Sequence, residues 1–143
     1  VGEGMKKIEQ TWLGGVDAPT NGEGNCFQAC VASILEIPLE GSFNHGLFSD
    51  EEWFEKFNEW LDQYGLASIF IECNPDKPLN STSLRGIHIA EMETAESLLK
   101  HAVVIEGDKI IHDPMPGLKN KGYTCCGIYF FIPLDPKLCR TLV

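Results

Sequence analysis

A cysteine set directly after a glycine-rich turn, at the head of an apolar helical stripe, constrains this chain more than any other feature. The run Gly22-Glu23-Gly24-Asn25-Cys26-Phe27-Gln28-Ala29-Cys30 closes a turn and opens the stripe. Apolar residues at Phe27, Cys30, Val31, Ile34 and Leu35 recur at helical spacing until Pro38 stops them. The spacing predicts a helix over 26–36 with Cys26 at its mouth. A helix start supplies unpaired N–H groups and a partial positive charge, which favour an anion. The thiolate is the nucleophilic form of cysteine, so this placement points to a reactive thiol. The plainer alternative is a buried cysteine that happens to start a helix.

The rest of the chain divides in two. Residues 10–24 are rich in Gly, Asn, Pro and Asp and read as an irregular loop. A second helix is announced by Ser49-Asp50-Glu51-Glu52, which has the form of a capping box. Trp53, Phe54, Phe57, Trp60, Leu61 and Tyr64 follow at helical spacing, and Gly65 supplies the stop. Those rings read as core rather than as a ligand cage. After Gly65 the period changes. Short strand-like runs cover 67–71, 86–90, 102–105, 110–113 and 127–133. Residues 74–83 read as a polar loop and 93–100 as a short helix. Helices first and an antiparallel sheet afterwards make an α+β chain, with the helix mouth at Cys26 facing strands that carry His101.

At 143 residues the chain fits one domain with a single core, taken as residues 5–143. Val1 to Gly4, ahead of Met5, read as a vector remnant. The formal net charge of −10 argues against a nucleic-acid groove, which needs clustered Lys and Arg. No apolar run reaches the ~18 residues of a membrane span, and no signal peptide is visible, so a cytoplasmic protein is expected. The cysteines are Cys26, Cys30, Cys73, Cys125, Cys126 and Cys139. No Cys-x-x-Cys pair occurs among them, which disfavours structural zinc. Neither a metal nor another cofactor is expected, and reduced thiols are the default.

Far from Cys26, the segment His101-Ala102-Val103-Val104-Ile105 and the triplet His112-Asp113-Pro114 offer a base and a carboxylate. A cysteine nucleophile needs an imidazole to handle its proton and a third group to orient that imidazole. The order Cys26, His101, Asp113 and the helix-then-sheet layout resemble the papain-like cysteine peptidases. The likeness is nearest to the compact papain-like proteins of phages and bacteria. It rests on Gln10-Thr11, residues 24–35 around Cys26, Ile37-Pro38-Leu39-Glu40, Glu52-Trp53-Phe54, and the two histidine segments. More remotely, the His…Asp-Pro arrangement is similar to the bacteriocin-leader peptidases of export transporters.

The resemblance implies a papain-like fold with Cys26 as nucleophile, His101 as general base and acid, and Asp113 as the group orienting the imidazole. It also implies an oxyanion hole made from the Cys26 N–H and a side-chain amide. Gln10 fits the family's upstream glutamine. The segment from Gly14 to Asn21 lengthens the path between Gln10 and Cys26, so Asn21 and Asn25 stand as local alternatives. Cys30, one turn along the helix, reads as core or as a partner for an oxidised Cys26. His45 and His88 read as structural.

His112 is a rival base, and strand geometry separates it from its neighbour, because adjacent strand residues point to opposite faces. A two-residue Gly107-Asp108 turn pairs Glu106 with Lys109 and sets Ala102 opposite Asp113, with His101 on the other face. A Cys-His-Asp group therefore requires a three-residue loop or a bulge in this hairpin.

The functional expectation is thiol-dependent hydrolysis of a peptide, isopeptide or related amide bond in a peptide or protein substrate. The same apparatus can run acyl transfer or deamidation. From another class comes a non-catalytic binding or inhibitor module on the same scaffold, since fold does not fix function. A redox role for Cys26 and Cys30 is a third reading. Oligomeric state has no sequence signature here.

Overall fold

The computed structural model describes residues 5–11, 24–73, 84–94, 97–115, 124–135 and 137. Among these, two α-helices pack against a five-stranded antiparallel sheet. The helices are α1 (Cys26–Leu35) and α2 (Trp53–Leu61). The strands are β1 (Leu66–Glu72), β2 (Ile87–Thr94), β3 (Ser97–Glu106), β4 (Lys109–His112) and β5 (Thr124–Pro133). Their order across the sheet is β1-β5-β2-β3-β4. The last strand in sequence is therefore inserted next to the first, and the β3–β4 hairpin lies at one edge.

The first helix forms where the apolar stripe predicted it and is unusually buried. Ala29, Cys30, Val31 and Ala32 are fully inaccessible, because small side chains let the helix lie close to β3 and β2. It ends at Glu36, whose φ of 56° is left-handed, a conformation that costs a non-glycine residue about 1–2 kcal/mol. The Glu36 and Ile37 N–H groups both donate to the Ala32 carbonyl there, and Pro38 prevents continuation.

The second helix also forms as expected, but its start differs. No side chain caps it. Instead the Ser49 carbonyl accepts from both the Glu52 and Trp53 N–H groups, so a backbone turn replaces the expected capping box. The helix tightens into a 3-10 turn over Asp62–Tyr64, and Gly65, at φ 68°, ends it in the left-handed region.

One face of the sheet meets both helices through Phe27, Phe57, Leu61, Ile89, Val104 and Tyr129. Aromatic rings dominate this core. Phe27 meets Trp53, Phe57 and Tyr129 edge-on at 5.1–5.5 Å, the arrangement that ring quadrupoles favour. Strand alternation sends Ala90, Met92, Val103, Ile105 and Ile128 to a second cluster on the opposite face. Gly127 is demanded by this packing: a Cβ there would lie 2.2 Å from Cζ of Phe70, whose ring rests 4.5 Å from Tyr129.

Of the expected helix over 93–100, residues 93–94 and 97–100 are strand instead, and 95–96 lie outside the described residues. Thr94 pairs with Ser97 and Met92 with His101, so β2 and β3 form a hairpin through this stretch. Its helix-favouring Glu, Met, Leu and Lys are overridden, because continuing both strands satisfies backbone groups across a sheet already begun at Ile87 and Glu106.

Candidate functional site

The site is assembled around the first turn of α1. The first intrahelical bond runs from the Ala29 N–H to the Asn25 carbonyl, which leaves the N–H groups of Cys26, Phe27 and Gln28 ahead of the ladder. Cys26 is partly exposed at that position. Its sulfur accepts a hydrogen bond from the Ala102 N–H on β3 at 3.4 Å. The residue before Ala102 is His101, whose imidazole also interacts with Cys26. The middle of β3 thus presents a backbone donor and a side-chain partner to the same sulfur.

Asp113 completes the line. Its Oδ1 lies 2.6 Å from Nε2 of His101, and both side chains are only 12% exposed. The same oxygen accepts the Met115 N–H at 3.0 Å, which fixes the carboxylate from behind. With Nε2 engaged by Asp113, Nδ1 is the nitrogen left to meet the thiol. Burial disfavours the charged imidazole, but the hydrogen bonds to Asp113 and to Cys26 outweigh it and raise the His101 pKa to about 9. Asp113 thus favours the charged form of the His101 ring.

The register explains how His101 and Asp113 meet. The turn has two residues, with Gly107 at φ 61° and Glu106 paired to Lys109, which by itself would turn Asp113 away. Ile105 pairs with Ile110, but Val104 then pairs with His112, so Ile111 is an extra residue, a bulge on β4. The one-residue shift carries Asp113 to the face of His101. It also sends His112 inward, where it is buried and its Nε2 donates to the Ile8 carbonyl at 2.7 Å. The rival base is a strut that holds the N-terminal segment.

That segment reaches the site. Ile8 is held by His112 and by the Ser33 hydroxyl, which accepts the Ile8 N–H at 2.9 Å. The Gln10 N–H donates to the Pro114 carbonyl at 2.8 Å, placing buried Gln10 beside the Asp113-Pro114 turn. The Thr11 N–H donates to Oδ1 of Asn25 at 2.9 Å, and Nδ2 of Asn25 returns a bond to the Thr11 hydroxyl at 3.0 Å. Residues 11 and 25 therefore meet, whatever the length of chain between them, and Gln10 comes to the helix mouth. The second hydrogen on Nδ2 of Asn25 points to Gln28 at 3.5 Å. Asn25 is a brace for Thr11. Asn21 lies outside the described residues.

The remaining histidines sit elsewhere. His45 packs edge-on against Phe27 and Trp53. His88 donates from Nε2 to the Arg85 carbonyl at 2.9 Å and accepts the Phe131 N–H on Nδ1 at 3.2 Å. Burial lowers its pKa, in keeping with a neutral ring using both nitrogens. Cys30 is wholly buried, and burial, then the neighbouring Cys26 and Asp113 charges, raise its pKa well above the ordinary thiol value.

Among the described residues no group of three or more His, Cys, Asp or Glu side chains could hold a metal ion, and no helix is long and apolar enough to cross a membrane. Sequence reasoning missed the Ala102 and Met115 N–H donors and the Thr11–Asn25 brace. Backbone donors leave no residue-type signature, so nothing local could have revealed the first two. What the arrangement can do chemically is hold a partly exposed thiol at a helix mouth beside an imidazole whose orientation is fixed by a carboxylate. No protein-family model matches this chain, and no curated protein matches it.

Proposed function

We propose that this protein is a thiol-dependent hydrolase of peptide or related amide bonds, built as a compact papain-like domain, with Cys26, His101 and Asp113 as its catalytic group. The observation that carries this reading is the pairing of His101 with Asp113 at 2.6 Å on the strand whose next residue, Ala102, donates its N–H to the Cys26 sulfur at a helix N-terminus. In the reaction, the Cys26 thiolate attacks the substrate carbonyl carbon. The developing oxyanion is received by the Cys26 N–H and the side-chain amide of Gln10. The His101 imidazolium gives its proton to the leaving amine as the C–N bond breaks. Neutral His101 then takes a proton from water, whose hydroxide attacks the thioester, and the acid leaves as Cys26 is regenerated. Met115 and Asp113 keep the imidazole oriented through both steps.

The neighbouring chemistry makes a selective test possible. Cys30 is inaccessible, and the thiols of Cys125 and Cys126 are both raised by burial. Limiting iodoacetamide at pH 6–7 is therefore expected to modify Cys26 first, as read by peptide mass mapping. His101→Ala should slow that modification by tenfold or more. Equal labelling of Cys26 and the other accessible cysteines, unchanged by His101→Ala, would reject the catalytic pairing and leave a binding scaffold as the reading of the same fold.

A further inference from the structure

A second thiol site lies away from Cys26. Cys73 follows the end of β1 and Cys125 stands at the start of β5, 52 residues apart in sequence, and their sulfurs are 3.4 Å from each other. Both residues are partly exposed. The pairing arises from an irregularity in the sheet. Cys73 donates its N–H to the Cys126 carbonyl at 2.8 Å, so Cys126 is its direct neighbour across the ladder. On the β2 side, however, Gly127 pairs with Glu91 while Cys125 pairs with Met92. Cys126 is the extra residue of that shift, and Cys125 takes its place on the face that Cys73 occupies.

We propose that Cys73 and Cys125 form a reversible disulfide that staples β1 to β5, driven by a low-molecular-weight disulfide oxidant. The sulfurs need to close by only about 1.4 Å to reach bonding distance, a movement within side-chain rotation. The Cys73 thiolate attacks one sulfur of the oxidant, giving a mixed disulfide and one thiolate leaving group, which takes up a proton. Cys125 then loses its proton and attacks the Cys73 sulfur, releasing the second thiol. Two protein thiols and one oxidant disulfide become one protein disulfide and two small thiols, a two-electron exchange. Burial, followed by the hydrogen bond with Cys73, raises the Cys125 pKa, which disfavours it as the thiol that attacks the oxidant first. The alternative redox pair is poorly placed: residues four apart on a helix hold their Cβ atoms about 5–6 Å apart, beyond the ~3.5–4.5 Å of a disulfide. Cys26 and Cys30 could bond only if α1 opened. The staple is independent of the hydrolase reading, since it uses none of that group.

The test is titration of the reduced full-length protein with oxidised glutathione, followed by thiol counting, non-reducing peptide mapping and thermal unfolding. In Cys26→Ala protein, which lacks the reactive helix-mouth thiol, two thiols should be lost together, the peptides bearing Cys73 and Cys125 should be linked, and Tm should rise by about 5–10 °C, reversed by dithiothreitol. Cys125 and Cys126 share a tryptic peptide, so variants make the assignment. Cys126→Ser should keep the link and the Tm rise, whereas Cys125→Ser and Cys73→Ala should each lose both. Glutathione adducts without a link, or a link that survives in either Cys125→Ser or Cys73→Ala, would overturn the proposal.

Discussion

The two helices face one sheet but are held to it by different means. The second is fixed mainly by rings, with one polar bond to the sheet from the Ser68 N–H to Oδ1 of Asn58: Phe57 is fully buried and touches Phe27, Phe43, Trp60 and Phe131 within 6.3 Å between centroids. The first is fixed along its length by directional polar bonds. Thr11 meets Asn25, Ala102 meets Cys26, Ile8 meets Ser33, and Gln28 reaches the Leu39 and Ser42 carbonyls. Ring packing is strong and tolerant of small rotations, because apolar contact has little directionality. Hydrogen bonds are weaker net but fix distance and angle. The helix carrying the candidate nucleophile is the one positioned by hydrogen bonds, which suits chemistry that half an ångström can spoil.

Four substitutions or titrations would break or sharpen this contrast. Given the proposed activity, Cys26→Ala or His101→Ala should lower turnover of a fluorogenic peptide-amide library by about four orders of magnitude, or ~5.5 kcal/mol in barrier. Neither should unfold the protein by circular dichroism, because the rings under α2 are untouched. Retained turnover in Cys26→Ala would end the covalent mechanism. On the aromatic side the effects should invert. Phe57→Ala should cost about 3–5 kcal/mol of stability in urea denaturation, with the alkylation rate of the remaining folded protein little changed.

Gly127→Ala probes the seam between β5 and the ring layer. The new methyl would force Phe70 aside, and a loss of about 1–3 kcal/mol is expected. Wild-type stability would show that the ring shifts freely and that the layer is looser than its contacts suggest.

The smallest effect is a pH dependence of the polar side. The His101 pKa is raised from 6.5 to about 9, so the folded state holds the proton more tightly than the unfolded chain. The associated stability is complete below pH ~6.5 and fades as pH rises towards 9. Urea midpoints measured from pH 6 to 10 should fall by less than the ~3 kcal/mol that the full rise to about 9 would represent, because the ring is partly solvated, and His101→Ala should flatten that fall. An unchanged slope in the variant would show that another group titrates there.

Much of this architecture is legible in the sequence. The stripe after Cys26 and the ring spacing after Trp53 located both helices to within a residue or a turn. The change of period after Gly65 located all five strands. The errors have physical causes. Residues 93–100 have helical composition, but pairing with strands already in place decided their state. Ser49 to Glu52 have capping-box composition, but the turn closed through a backbone carbonyl. The distance from Gln10 to Cys26 in sequence suggested separation, which the Thr11–Asn25 bonds remove.

The sequence by itself determined that apolar periodicity would give two helices and then strands, and that a cysteine would stand at a helix mouth with histidines and an aspartate downstream. These follow from local stereochemistry, in which side-chain direction repeats every 3.6 or 2 residues. Only the tertiary structure decided which histidine meets the thiol, and which cysteine meets Cys73. Both outcomes depend on a single extra residue in a strand, Ile111 in one case and Cys126 in the other. A one-residue slip reverses every side chain beyond it, and its stability is set by packing on two faces of the sheet at once.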